Sequence, residues 1–339
     1  MVELNSDSCW QVARDIVSQH IDLSTNTLMV CVRVLHRDYL KGDNEMSISS
    51  AYLLSTLVRG KSIQAPLYYA AQTYIPERVS KIGRMSSRSI GKVFTPGELS
   101  VLLALSLLYR RMVKWSSLKQ YHELTSTLAV STDIGGFLGL SLPSIGLRKG
   151  LLVGGIRYLS LFPLLGSDPS GYDSYVRALQ LDGRNFDLES EARIWGTTHL
   201  HIASQLVQAL GLGLEDARSI IEAFLPFPGS TTDAYYATQI TQTWIESLIA
   251  TGTPPEIVHK GEFYPKARDL DTLKERVAHI REVGSENKFM TRKRYDVTPE
   301  KTPILFTGPV DNTPVEVPRM TDELLDGLTP EELAAIEDA

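Results

Sequence analysis

Apolar residues recur at helical spacing, with capping signals between the runs, over roughly the first 283 residues of this chain. Strand-like alternation is almost absent, and this contrast restricts the chain to an all-α fold class. Asp7 is placed to cap a helix through Ile16 and His20, with Trp10, Ala13, Ile16 and Val17 on one face. Ser24 is placed to cap a second helix ending near Gly42, and residues 47–58 read as a third, stopped by Gly60. Thr95-Pro96-Gly97-Glu98 is a capping box with Pro in the first helical turn, followed by an apolar run to Leu108. Further helices are expected over 117–137, 143–162, 171–181, 197–210, 214–224, 232–250 and 270–283. The one strand candidate, 303–310, carries two prolines and reads as an edge strand or extended loop.

With 339 residues, 43% of them hydrophobic, most of the chain is expected to fold. The net charge of −6 argues against non-specific nucleic-acid binding, which needs a cationic surface. The two cysteines, Cys9 and Cys31, have neither CxxC spacing nor a histidine cluster, so a disulfide framework or zinc site is not expected and a reducing compartment fits. The N-terminal residues lack the basic and apolar regions of a signal peptide. The most apolar stretch, 151–165, contains Arg157 and Pro163 and is too short to span a bilayer, so it reads as a buried helix. These features predict a cytoplasmic protein with no membrane partner.

Motifs for chemistry are missing: the sequence holds no GxSxG, no GxxxxGK[ST] and no HExxH. The glycine pairs Gly135-Gly136 and Gly154-Gly155 lie inside apolar stretches and follow no strand, which points to close helix packing rather than a phosphate loop. Among the seven histidines only His199 and His201 are near neighbours, and on one helix they point in nearly opposite directions. His199 shares a face with Ile202, Ala203, Leu206 and Leu210, the usual setting of a hydrogen-bonded core histidine. No metal and no cofactor are expected.

Three blocks between about residues 115 and 256 carry a resemblance. They are Tyr121-His122-Glu123-Leu124-Thr125-Ser126-Thr127-Leu128-Ala129, then Gly150-Leu151-Leu152-Val153-Gly154-Gly155-Ile156, then Glu191 with Gly196-Thr197-Thr198-His199-Leu200-His201-Ile202-Ala203 and the run Leu206 to Leu214. Together they resemble the second half of an HDOD domain, a non-catalytic, all-helical branch of the HD metal-dependent phosphohydrolases. The middle block resembles the GLLHDIG segment of that family. The His-Asp pair that names the superfamily falls at Val153 and Gly154, whose side chains cannot bind a metal. Of the expected ligands only His122 stands at a ligand-like position; the distal aspartate is missing, Thr241 being the nearest fit and Asp233 lying too early. His122, Val153, Gly154 and His199 are thus the degenerate positions of an HD site.

The resemblance implies a multi-helix, HDOD-like domain with an extended C-terminal tail. It implies a bacterial, non-enzymatic signalling scaffold acting through protein contacts, with two-component or cyclic-dinucleotide proteins as the partner class. The alternatives are a divergent HD-type phosphohydrolase or phosphodiesterase using His122 and His199, or a nucleotide or nucleic-acid binder. The last would use the basic segment 78–119, where Arg78, Lys81, Arg84, Arg88 and Lys92 are candidate phosphate contacts, although a solvated surface is the plainer reading. The expected organisation is an N-terminal helical subdomain over 1–115, an HD-like subdomain over 116–258, and a helix plus a Pro- and charge-rich tail over 259–339. The tail ends in an acidic amphipathic stretch. There Leu324, Leu325, Leu328, Leu333 and Ile336 are candidate partner-docking residues among seven acids from Asp322 to Asp338.

Overall fold

The computed structural model describes Leu4 and residues 6–22, 26–42, 45–58, 61–82, 87–225, 233–256 and 261–285. These residues are all-α, with no strand among them. The strand candidate at 303–310 and the acidic terminal stretch with Leu324, Leu325, Leu328, Leu333 and Ile336 lie outside the described residues.

Capping chemistry sets most helix boundaries. Helix α1 (Asp7–His20) starts one residue earlier than Asp7 would as a cap, with Ser6 at the N-cap, and buries Cys9, Ala13, Ile16 and Val17. Helix α2 (Thr27–Leu40) is capped by Asn26 rather than Ser24, the Asn26 side chain accepting from the Met29 N–H at 3.0 Å. Helix α3 (Ile48–Val58) is fastened by a carboxylate from the preceding helix. Asp38, itself buried, accepts from the Ser47 N–H at 2.8 Å and from the Ser50 hydroxyl.

Helices α4 (Lys61–Tyr74), α5 (Pro76–Ile82) and α6 (Ser87–Val93) follow in a stretch where the sequence signals are weak. Pro66 lies inside α4, and two of the three helices are short. Helix α7 (Pro96–Met112) opens with the capping box: the Thr95 N–H donates to Glu98 at 2.8 Å, and the Glu98 N–H donates to the Thr95 hydroxyl at 3.3 Å.

Next come α8 (Lys119–Ser141), α9 (Gly146–Leu159), α10 (Leu161–Ser167), α11 (Pro169–Asp182) and α12 (Leu188–Trp195). The described part closes with α13 (His199–Ala209), α14 (Leu214–Glu222), α15 (Asp233–Ala250) and α16 (Ala267–Val283).

The described residues form two compact units, one of those up to 22 with those from 108 to 285, the other of those between 26 and 107. In the second, α2 packs on α3, and α3 packs on α4 and α6. Its interior is mostly aliphatic, with Val30, Leu35, Leu53, Leu54, Val58, Leu67 and Ile90 buried beside Tyr74 and Phe94.

The first unit is organised by the antiparallel pair α8 and α9. Glycines line their crossing. A Cβ added at Gly135 would stand 2.3 Å from the Gly150 carbonyl oxygen, and one at Gly139 would stand 2.3 Å from that of Gly146. One at Gly154 would stand 2.5 Å from the Ser131 carbonyl oxygen, and the Ser131 hydroxyl donates across the same crossing to the Gly154 carbonyl at 2.7 Å. The two backbones touch because no side chains separate them. Helix α15 packs on both, α16 on α8, and α13 on α9. Helix α1 covers α13 and α10.

Among the described residues one stretch, Gly146–Ser167, is by length and composition apolar enough to cross a membrane; its most apolar 18-residue window is 89% buried inside the protein. The broken helix at Ser160 and the buried Arg157 fit that interior place.

Candidate functional site

Two closely spaced caps build the most polar part of the interior. Asp187 caps α12 by accepting from the N–H groups of Glu189 and Ser190 at 3.1 and 3.2 Å. Gly196, at φ 73°, ends α12 in the left-handed region, and Thr198 starts α13. This corner turns Glu191 back onto the first residue of the next helix. Its carboxylate accepts from the His199 N–H at 2.7 Å, supplying the helix cap that the Thr198 side chain does not make. The same carboxylate lies 2.8 Å from His199 Nδ1.

These partners determine the imidazole's state. A carboxylate only accepts, so Nδ1 carries the proton. On the other side of the ring, Arg157 Nε donates to Nε2 at 3.1 Å, and a guanidinium only donates. His199 is therefore neutral, with both nitrogens committed. Burial pushes its pKa down, with Arg157 adding to the fall and Glu191 and Glu246 opposing it.

The network extends in two directions. Arg157 Nη1 donates to Glu246 at 2.8 Å, and Gln242 donates to the same oxygen at 3.0 Å. Phe186 and Phe224 lie 4.0 and 4.4 Å from the guanidinium carbon, and Phe186 also stacks on the His199 ring at 4.4 Å. Toward α11, the Tyr175 hydroxyl donates to Glu191 and accepts from the Asp187 N–H at 3.1 Å. Burial, then the Glu191 charge, push the Tyr175 pKa up. His199 and Glu191 are fully buried, whereas Glu246 reaches solvent at one end.

His201 faces away from this chain. Its Nδ1 is 2.8 Å from the Thr198 hydroxyl, and Trp10 of α1 meets its ring edge-on at 4.7 Å. Its pKa is pushed down to about 4, by burial first and then by His199, against Glu191 and the Leu4 backbone.

The four positions that the resemblance assigns to an HD site lie on three helices, α8, α9 and α13. His122 is exposed near the start of α8. It precedes Ser131, the residue facing Gly154, by about 13 Å of helix rise. Val153 and Gly154 are buried in the α8–α9 crossing. His199 meets α9 at Arg157, one turn beyond Val153. Thr241 is buried, and its hydroxyl donates to the Ala237 carbonyl at 2.6 Å. Among the described residues no three His, Cys, Asp or Glu side chains form a group able to hold a metal.

The basic segment is distributed over other tasks. Arg78 donates to the Val93 carbonyl at 2.9 Å and pairs with Glu98 at 3.5 Å. Lys81 and Lys92 are exposed, while Arg84 and the side chain of Arg88 lie outside the described residues. Arg111 pairs with Asp22 at 3.2 Å, and Lys114 donates to the His20 carbonyl.

Tyr175, Phe186, Gln242 and Glu246 have no motif to mark them in the sequence. Arg157 does carry a signal: the one arginine of the apolar stretch 151–165 must find a buried partner. Fold and network define an all-α protein with a polar network through its interior that reaches solvent at Glu246. No protein-family model, curated protein or solved structure matches the chain.

Proposed function

We propose that this protein is a non-catalytic regulatory scaffold of the HDOD kind that works in the cytoplasm through protein–protein contacts. The observation that carries the reading is the commitment of His199. A general base or metal ligand needs a free ring nitrogen facing a substrate, and both of its nitrogens are held by Glu191 and Arg157 in a fully buried ring. The second support is the occupation of the His-Asp place: Val153 and Gly154 serve helix packing there. Two-component or cyclic-dinucleotide signalling proteins are the partner class the resemblance implies, and the acidic stretch with Leu324, Leu325, Leu328, Leu333 and Ile336 is the docking segment proposed from sequence.

Metal analysis of the purified full chain tests the non-catalytic part. Less than a tenth of an equivalent of Fe, Mn or Zn, unchanged in His122→Ala, is expected. Stoichiometric metal that is lost in that variant would overturn it. Co-purification with and without residues 319–339 tests the docking part: specific partners are expected to be lost on deletion, and full retention refutes that segment's role.

A further inference from the structure

The bonding pattern around His199 makes the network depend on a neutral ring. We propose that Glu191, His199, Arg157 and Glu246 form an acid-sensitive latch, in which proton uptake by His199 expels the Arg157 guanidinium and loosens α15 from α9.

The argument is one of donors and acceptors. With Glu191 on Nδ1, the second proton of an imidazolium goes to Nε2. There it meets the Arg157 Nε–H, now 3.1 Å away and itself a donor. Two donors and two positive charges face each other in a dry interior, and one must leave. His199 is held by α13 and by its backbone bond to Glu191, so Arg157 is the group that moves. Its departure breaks the Nη1 bond to Glu246, the ion pair between α9 and α15, and opens the stack between Phe186 and Phe224.

The groups facing His199 set the direction of response. Glu191 on α12 and Glu246 on α15 favour its charge, while Arg157 on α9 and burial oppose it and prevail. Tyr175 on α11 is already spent on Glu191. On α14, Glu222 is paired with Arg218 at 2.9 Å. From α13 itself His201 faces the other way, onto the Thr198 hydroxyl, and from α1 the facing group is Trp10, on His201. The closed form thus binds the proton more weakly than a solvated ring of pKa 6.5. Opening is favoured as pH falls below that value, by up to about tenfold per unit.

Hydrogen exchange on the full-length protein between pH 7.5 and 5.5, corrected for intrinsic rates, is the test. Amides of α15 in the wild type should open up to about fivefold more often at pH 5.5 than at 6.5. His199→Gln keeps an acceptor for Arg157 and a donor for Glu191 but cannot titrate, so the pH response of its α15 exchange should fall to what His201 contributes through the fold as a whole. Flat exchange in the wild type, or an equal pH response in the variant, overturns the latch. A second measurement needs no variant: the ring ¹⁵N shifts of His199 at pH 7.5 should report a protonated Nδ1 and a bare Nε2. A protonated Nε2 at that pH removes the premise.

Discussion

Replacing Gly150 by alanine isolates the close approach on which the larger unit depends. In an isolated helix the change stabilises by about 1 kcal/mol, because glycine is the poorer helix former. Here the new methyl would stand 2.0 Å from the Gly135 carbonyl oxygen and 3.2 Å from the Gly139 Cα. Both obstacles are backbone, so no side chain can rotate away. The helices must part by well over an ångström, and a gap of about 0.5–1 Å already forfeits a quarter to a half of the dispersion energy across a surface. The same seam holds Gly154 against Ser131 and Gly139 against Gly146, so the loss spreads along its whole length. Overpacking of this kind costs about 1–3 kcal/mol and here lies at the upper end, which reverses the sign expected from propensity. Urea unfolding of the full chain, followed by far-ultraviolet circular dichroism, should show the midpoint falling. Gly183→Ala is the matched control: Gly183 has φ 64° and open space around it, so only the left-handed backbone cost of about 1 kcal/mol applies. If Gly150→Ala equals or exceeds the wild type in stability, the contact reasoning is refuted.

Three further outcomes follow from individual contacts. Asp187→Ala removes the cap of α12 and should lower stability by about 1 kcal/mol, read as a shift in the urea midpoint; no shift would mean that the cap bonds contribute nothing. Both cysteines are buried, and burial pushes the Cys31 thiol well up, so a thiol reagent at pH 8 should label neither in the native protein and both in urea. Rapid labelling of native Cys31 would contradict its placement. His201 titrates at about 4 in the fold against 6.5 when solvated, so the unfolded chain takes up the proton first as pH falls. Its contribution is complete above pH 6.5 and is lost toward pH 4 at about 1.4 kcal/mol per unit, a slope that urea midpoints at pH 7 and 5 should show reduced in His201→Gln.

What the sequence makes legible is local. The capping box at Thr95 and Glu98 forms as its pattern predicts, because both halves of the interaction lie within four residues. The long helices α8, α13 and α15 are marked by sustained periodicity. Helices α4, α5, α6 and α12 are not: Pro66 interrupts α4, and the other three run for only seven or eight residues, about two turns of period to read. Glu191 and His199 are visible as residues of one block, yet their partners come from α9, α11 and α15 through contacts 16 to 89 residues away in the chain. No local pattern encodes such separations. Of the four positions that the resemblance groups, His199 among them, His122 lies on the surface, and Val153, Gly154 and His199 follow the packing of α8, α9 and α13.

The crossing of α8 and α9 also decides what a reconstruction of the His-Asp pair can achieve. If the degenerate positions were an HD site lacking only its side chains, Val153→His with Gly154→Asp would restore two ligands. At Gly154, however, even the Cβ comes within 2.5 Å of the Ser131 carbonyl oxygen and 3.2 Å of the Thr132 Cα, so the carboxylate must force the helices apart before it reaches a metal. It would also enter the crossing as an unpaired charge, because the Ser131 hydroxyl already donates to the Gly154 carbonyl. Val153 is 3% exposed, so an imidazole there likewise replaces packed aliphatic surface. The double variant should therefore bind no more Zn or Mn than the wild type by equilibrium dialysis and should unfold at lower urea. Stoichiometric metal uptake by a variant as stable as the wild type would show that the crossing can accommodate a ligand pair. In that case its glycines could not be the reason the site is closed.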